Sequence, residues 1–308
     1  MIHEPEKTMN RKIIASMLAA AILIPAMTDA KTTRRKLSIF SPNIPKSTVI
    51  TPSDGAVEFT YEYSYNVDSI GKPDGTRESD TMILQIASDG VSKFSSLTNI
   101  MADSVCMTTT PEQRVDAILE GKLKRGEMMC IFKNYPLAGR VTHTEQICQD
   151  WFRYDEEMPV MDWELTDSTK TILGYECAGA ETDFRGRHWR VFYTPDIPLM
   201  EGPWKLHGLP GLIMEAKADG EEYTFGCIGI RTTSPREITL YDVPYNNTDR
   251  RKYYDTRHRF DINPYGYFES SGGGTISVSD EDGNPVLDSF DATDIPYDYI
   301  ERDWRDLK

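Results

Sequence analysis

Four of the five histidines, His143, His188, His207 and His258, lie beyond the N-terminal stretch and carry the side chains best suited to proton transfer or metal ligation. They are scattered, with no metal-ligand spacing between them, so no metal site and no cofactor is expected. Nucleophilic and phosphate chemistry have equally little to stand on. The chain has no GxSxG elbow, no HExxH zinc helix and no GxxxxGK[ST] loop. Carboxylates are abundant, and a pair acting on a glycosidic bond stays open as a minor reading, although no particular pair stands out. Asp280-Glu281-Asp282-Gly283-Asn284 has the look of part of a calcium loop but lacks the closing bidentate Glu, so a hairpin turn is the expectation. Asn246-Asn247-Thr248 matches a glycosylation sequon, to which little weight attaches on its own. Five cysteines without any CxxC support neither a zinc site nor a disulfide framework. Cys130 and Cys148 would lie near each other across a hairpin turning at Gly139, which leaves a cross-strand disulfide and free thiols both open.

The elements that must position any such residues read as mainly β. Aromatics take every odd position of Glu58-Phe59-Thr60-Tyr61-Glu62-Tyr63-Ser64-Tyr65, the alternation of a strand with one buried face. Further runs are 81–87, 91–97, 127–135, 141–148, 171–182, 188–194, 212–216, 223–231 and 237–243. Thr110-Pro111-Glu112-Gln113 reads as a capping box opening one helix, and 248–258, dense in Arg, Lys and Tyr, as a second. The expected fold is a curved antiparallel sheet or half-barrel, a meander of hairpins with about two helices packed against it. Asp219-Gly220 predicts a two-residue turn pairing Ala218 with Glu221, Ala216 with Tyr223, Met214 with Phe225 and Leu212 with Cys227. That register puts Leu212, Met214, Ala216, Tyr223, Phe225 and Cys227 on one buried face, with Cys227 a buried free thiol.

At the N-terminus, Arg11-Lys12 precede an apolar run from Ile13 to Ile24 and a softer segment ending at Ala30. This is the layout of a secretory signal peptide over residues 1–30, with Met9 as an alternative start. The run is too short for a membrane span. Residues 31–54 read as a loose mature N-terminus, and 55–308 as a single β-rich domain. The expected location is the periplasm or outer envelope, without a lipid anchor, because no cysteine lies near the cut. The formal net charge of -15 repels phosphate backbones and argues against nucleic-acid binding.

The most specific stretch contains Phe184-Arg185-Gly186-Arg187, Trp189, Tyr193-Thr194-Pro195-Asp196 and Gly202-Pro203-Trp204-Lys205-Leu206-His207-Gly208-Leu209-Pro210-Gly211-Leu212-Ile213. With Asp162-Trp163 and Ile172-Leu173-Gly174-Tyr175-Glu176-Cys177 upstream, it resembles the GLPGLI family of exported bacterial proteins, named for the hexapeptide Gly208–Ile213. The resemblance covers residues 130–230. It implies compartment and fold more than activity. The C-terminal Ile295-Pro296-Tyr297-Asp298-Tyr299 departs from the Asn-Pro-Ile-containing ends of many members. More distantly the segment resembles the late strands of lipoprotein-carrier-like half-barrels, in which a curved sheet wraps an apolar groove.

In the hexapeptide, Pro210 belongs at a strand start, and Gly208 and Gly211 at a bulge or close backbone approach. Arg185 and Arg187 flank a turn, with Asp183, Asp196 or Glu215 as expected partners. As ligand-binding candidates, Trp189, Tyr193, Trp204 and Leu209 would line a groove with Arg187 at its rim. The expectation is a non-enzymatic envelope protein binding an apolar ligand, a peptide or an outer-membrane protein partner. The alternatives are an assembly accessory without a small ligand and, third, a carboxylate-based hydrolase.

Overall fold

The computed structural model describes residues 45–51, 56–66, 77–233, 236–271 and 298–306. The expected signal peptide, the Met9 start, the Gly-rich 272–274 and the calcium-like 280–284 lie outside them. Strand β1 (Ser47–Thr51) falls inside the stretch expected to be loose. β2 (Val57–Asn66), β3 (Arg77–Ile86) and β4 (Ser92–Ser96) then lead into helices α1 (Leu97–Met107) and α2 (Pro111–Leu119). Strands β5 (Cys130–Lys133), β6 (Arg140–Ile147), β7 (Asp150–Glu157), β8 (Glu164–Ile172), β9 (Tyr175–Phe184) and β10 (Arg187–Thr194) follow. The chain continues through β11 (Leu212–Ala218), β12 (Tyr223–Arg231), β13 (Ile238–Tyr241) and β14 (Tyr245–Asn247), then helices α3 (Arg250–Ile262) and α4 (Pro264–Ser270).

Two meanders make one twelve-stranded sheet. β2 to β7 are neighbours in chain order, as are β8 to β12, and β12 pairs with β2 to join them. All pairings are antiparallel except β14 on β7. β1 pairs separately with β13. The sheet is curved and open, with β14 and β8 at its edges. No helix among the described residues is long and apolar enough to cross a membrane.

The alternation in β2 does what its pattern requires. Phe59, Tyr61, Tyr63 and Tyr65 are all buried. They meet β12 with Tyr63 opposite Phe225 and Tyr65 opposite Tyr223. The Tyr63 ring stacks on Phe225 at 4.9 Å and on Tyr65 at 5.0 Å, offset contacts that add to the burial of large rings.

The β11–β12 hairpin keeps the expected faces but not the expected register. Ala216 pairs with Phe225 and Lys217 with Thr224, two residues away from the two-residue-turn pairing. The loop is longer because Asp219–Glu221 forms a 3-10 turn with Gly220 and Glu221 at positive φ. Glu222 is drawn out of the ladder to Arg187 (3.5 Å) and Arg302 (3.2 Å). An even slip leaves every side chain on its original face, so Leu212, Met214, Ala216, Tyr223, Phe225 and Cys227 are all buried.

The expected strand 171–182 is two strands, divided by a tight turn at Leu173-Gly174 with φ of 50° and 86°. β1, β7, β14, all of β8 but its last two residues, and helices α1 and α4 were not anticipated. α2 has the expected capping box, with Thr110 and Gln113 bonding each other's backbone N–H. All five cysteines are free. Cys130 faces Thr144 across β5–β6, so Cys148 lies beyond the pair.

Candidate functional site

Between β10 and β11 the chain runs through residues 195–211 without regular structure, yet Trp204, Lys205, Leu206 and Leu209 in it are buried. A buried loop must find partners for its polar groups, and this one does so through β5. Lys133, on β5 and only 1% exposed, donates to the carbonyls of Gly202 (2.9 Å) and Leu206 (3.2 Å). Its ammonium also pairs with Glu201 at 2.5 Å. Ser92 of β4 donates to the other Glu201 oxygen at 3.2 Å. The hexapeptide completes the arrangement. Gly208 sits at φ 95°, and a Cβ on Gly211 would collide with the Thr194 carbonyl. Ile213 N–H then bonds the Glu201 carbonyl at 2.9 Å. The Gly208–Ile213 motif is thus the clamp that seats this loop on the sheet.

Against the outer side of that loop lies a cleft of about 530 Å³, within the range of small-molecule sites. Val57 and Ile86 line it from β2 and β3, Met158 from the β7–β8 connection, and Leu199 and Met200 from the loop. Ser88, Asn134, Glu201 and His207 supply its polar side chains. Burial, reinforced by the Lys133 ammonium, pushes the His207 imidazole down to about 4, so it is neutral at physiological pH. Its Nε2–H donates to the Pro159 carbonyl at 2.9 Å. Nδ1 is therefore an acceptor, with no partner among the described residues. Met200 is 59% exposed, and methionine walls adapt to varied apolar shapes.

The expected site residues are placed otherwise. Arg187 does not stand at a rim: it is 4% exposed. Its guanidinium pairs with Asp298 (2.7 Å), donates to the carbonyls of Tyr299 (2.6 Å) and Ile300 (2.9 Å), and lies over the Tyr223 ring. Arg185 turns to Glu156 (2.5 Å), so neither arginine takes Asp183, Asp196 or Glu215 as its partner. Trp189, Tyr193, Trp204 and Leu209 pack together in the main core, Trp189 against Trp204 at 5.5 Å. None of the five lines the cleft. Large rings beside a glycine-clamped loop fill the space under it, and Leu199 and Met200, ahead of Trp204 in the loop, line the cleft instead. The signal for the cleft was Leu199-Met200-Glu201, two apolar residues and a carboxylate in an aperiodic stretch punctuated by prolines.

No family model matches the chain, and no curated protein matches it. Among solved structures, PNGF-II in a P21 crystal form aligns at a TM-score of 0.42 with 16% identity, over 65% of this chain and 32% of that one. In a C2 form it aligns at 0.41 with 17% identity over the same shares. The chain spans about a third of the length of these structures, and a likeness of this degree carries no argument about function.

Proposed function

We propose that this chain is an exported envelope protein of the GLPGLI type that holds an apolar ligand in the cleft beside its 195–211 loop, without catalysing a reaction. The observation that carries the reading is the cleft itself, about 530 Å³ with mostly apolar walls. Its polar groups are few and fixed, as specificity in such sites requires. Glu201 is held by Lys133 and Ser92, and neutral His207 offers one acceptor. The ligand is accordingly an apolar body carrying one hydrogen-bond donor, a hydroxyl or amide N–H. The layout of residues 1–30 supports export.

Native mass spectrometry of the protein taken from its own periplasmic or envelope fraction, without refolding, tests this. A co-purifying small molecule is expected. Leu199→Trp, which fills the cleft from its wall, should abolish it while the chain stays folded. A bare mass for the untreated protein, with no small molecule retained, overturns the reading.

A further inference from the structure

Four charged side chains, each from a different part of the chain, close into a ring. Lys205 of the 195–211 loop pairs with Glu156 of β7 and, at 2.7 Å, with Glu301 of the segment 298–306. Arg185, in the turn between β9 and β10, reaches the same two carboxylates, Glu156 at 2.5 Å and Glu301 at 3.7 Å. Charge therefore alternates around the ring, and each cation faces two anions. Lys205 and Glu301 are both fully withdrawn from water, where an ion deprived of its partner is costly.

Two corners of this ring stand two residues from two walls of the apolar cleft. His207 follows Lys205 along the loop, and Met158 follows Glu156 at the end of β7. The intervals are held rather than slack. Between Lys205 and His207, the Leu206 carbonyl accepts from Lys133. His207 bonds the Pro159 carbonyl, next to Met158, and the Met158 N–H bonds the Gly139 carbonyl at 2.8 Å. The separation of the loop wall from the β7–β8 wall is therefore tied to the Lys205–Glu156 pair, and Glu301 completes that pair.

The segment that supplies Glu301 is seated largely by charge. Asp298 lies on Arg187, and Arg250 of α3 pairs with both Glu301 and Asp303. The Arg302 N–H donates to the Arg185 carbonyl at 2.9 Å, an approach that glycine allows, since a Cβ on Gly186 would crowd Arg302 and Asp303. Withdrawing 298–306 would leave Lys205 and Arg185 to share Glu156, and buried Arg187 with Glu222 at 3.5 Å. Removing one member of a buried set strands the others, so the segment cannot leave while the loop keeps its place.

We infer that residues 298–306 are a strap that holds the cleft in its binding shape. Seated, Glu301 closes the ring and keeps the two walls at their ligand-binding separation. Unseated, Lys205 turns toward water and carries the His207 wall with it. This regulation rests on the cleft being the ligand site proposed above. The coupling is reciprocal: a ligand that fixes the walls holds the strap more tightly by the same factor that the seated strap adds to its affinity.

Titration of the full chain with N-phenyl-1-naphthylamine, a neutral apolar probe with a single N–H donor that fluoresces in apolar surroundings, tests the strap. Wild type should bind it and Leu199→Trp should not. Glu301→Gln should weaken the affinity by at least about fivefold, the lower end of ordinary coupling between sites. Phe260→Leu, a destabilising change where α3 meets α4, should leave the affinity unchanged. Undiminished affinity in Glu301→Gln, or an equal loss in Phe260→Leu, overturns the inference and leaves the cleft reading intact. No binding by wild type, or binding that survives Leu199→Trp, overturns both. Should Glu301→Gln fail to fold, wild type gives the second measurement. Saturating probe should slow amide hydrogen exchange at residues 299–302 and leave α2 unaffected, and unchanged exchange at 299–302 overturns the inference equally.

Discussion

Lys133 is the residue on which the loop and the cleft both depend. A lysine almost fully withdrawn from water is tolerated only where its three donors are all used, and here Glu201, Gly202 and Leu206 use them. Lys133→Met removes the cation but keeps the stem, leaving Glu201 with Ser92 alone. Loss of one partner of a buried pair costs on the order of 3 kcal/mol, readable as a lower denaturation midpoint. The same variant reports on His207. Burial comes first and Lys133 second among the causes that lower its pKa. NMR titration of the variant should therefore show His207 rising from about 4 yet staying below the ordinary histidine value of 6.5. An unchanged value would mean that the ammonium does not reach the ring. Gly211 makes a simpler case. Gly211→Ala drives a methyl group into the Thr194 carbonyl and should cost about 3 kcal/mol, measured by the same denaturation.

At the scale of elements, the β11–β12 hairpin offers the sharpest test. Met214 is fully buried in the main core, among Tyr61, Phe225 and Trp189. Met214→Asp places an unpaired carboxylate there and should destabilise by several kcal/mol, on the order of 4. A wild-type melting point would show that Met214 does not face the core. This hairpin also marks how far the sequence could be read. Period-two alternation identified its faces because burial acts on every second residue. It could not identify the register, because Glu222 is pulled aside by Arg187 and Arg302, far apart from it in sequence. β8 was hidden for a related reason: it is an edge strand and largely exposed, so its side chains do not alternate in polarity. The capping box of α2 is local chemistry and was legible. α1 was not, since its N-cap Ser96 closes a strand, and strand and helix run on without a break. At the cleft, apolar residues in an aperiodic loop were visible, but which of them face outward depends on Lys133, a partner that no pattern in the loop names.

Across the whole molecule, charges buried between distant segments bind the C-terminal residues 298–306 to the sheet. Glu301, fully buried, pairs with Lys205 at 2.7 Å and with Arg250 of α3, while Asp298 holds Arg187. Glu301→Gln should lower the melting temperature on the order of 10 °C, since it leaves Lys205 with Glu156 and Arg250 with Asp303. These pairs also set the response to acid. Burial alone would raise the Glu301 carboxyl, but Lys205, Arg250 and Arg185 hold it well below the usual range. Burial likewise opposes ionisation of Asp298, and Arg302 and Arg187 overcome it. Groups depressed in the folded state take up protons more readily when unfolded, so their contribution is present above the ordinary carboxylate range and lost as pH falls through their folded values. His207 acts in the same direction at higher pH: the unfolded ring protonates below about 6.5 and the folded one only near 4, so stability falls across that window. Glu127 acts oppositely. Its folded carboxyl takes a proton near 7 and its unfolded one near 4.5, so stability rises as pH falls between them. His207 and Glu127 therefore offset each other, and the melting temperature should change little from about pH 7 to 5 before dropping steeply. In Glu127→Gln the rising contribution is gone, and a scanned series of melting curves should decline from about pH 6.5 downward without the plateau. A plateau that survives the substitution would place the compensating group elsewhere and sever Glu127 from the acid response of the fold.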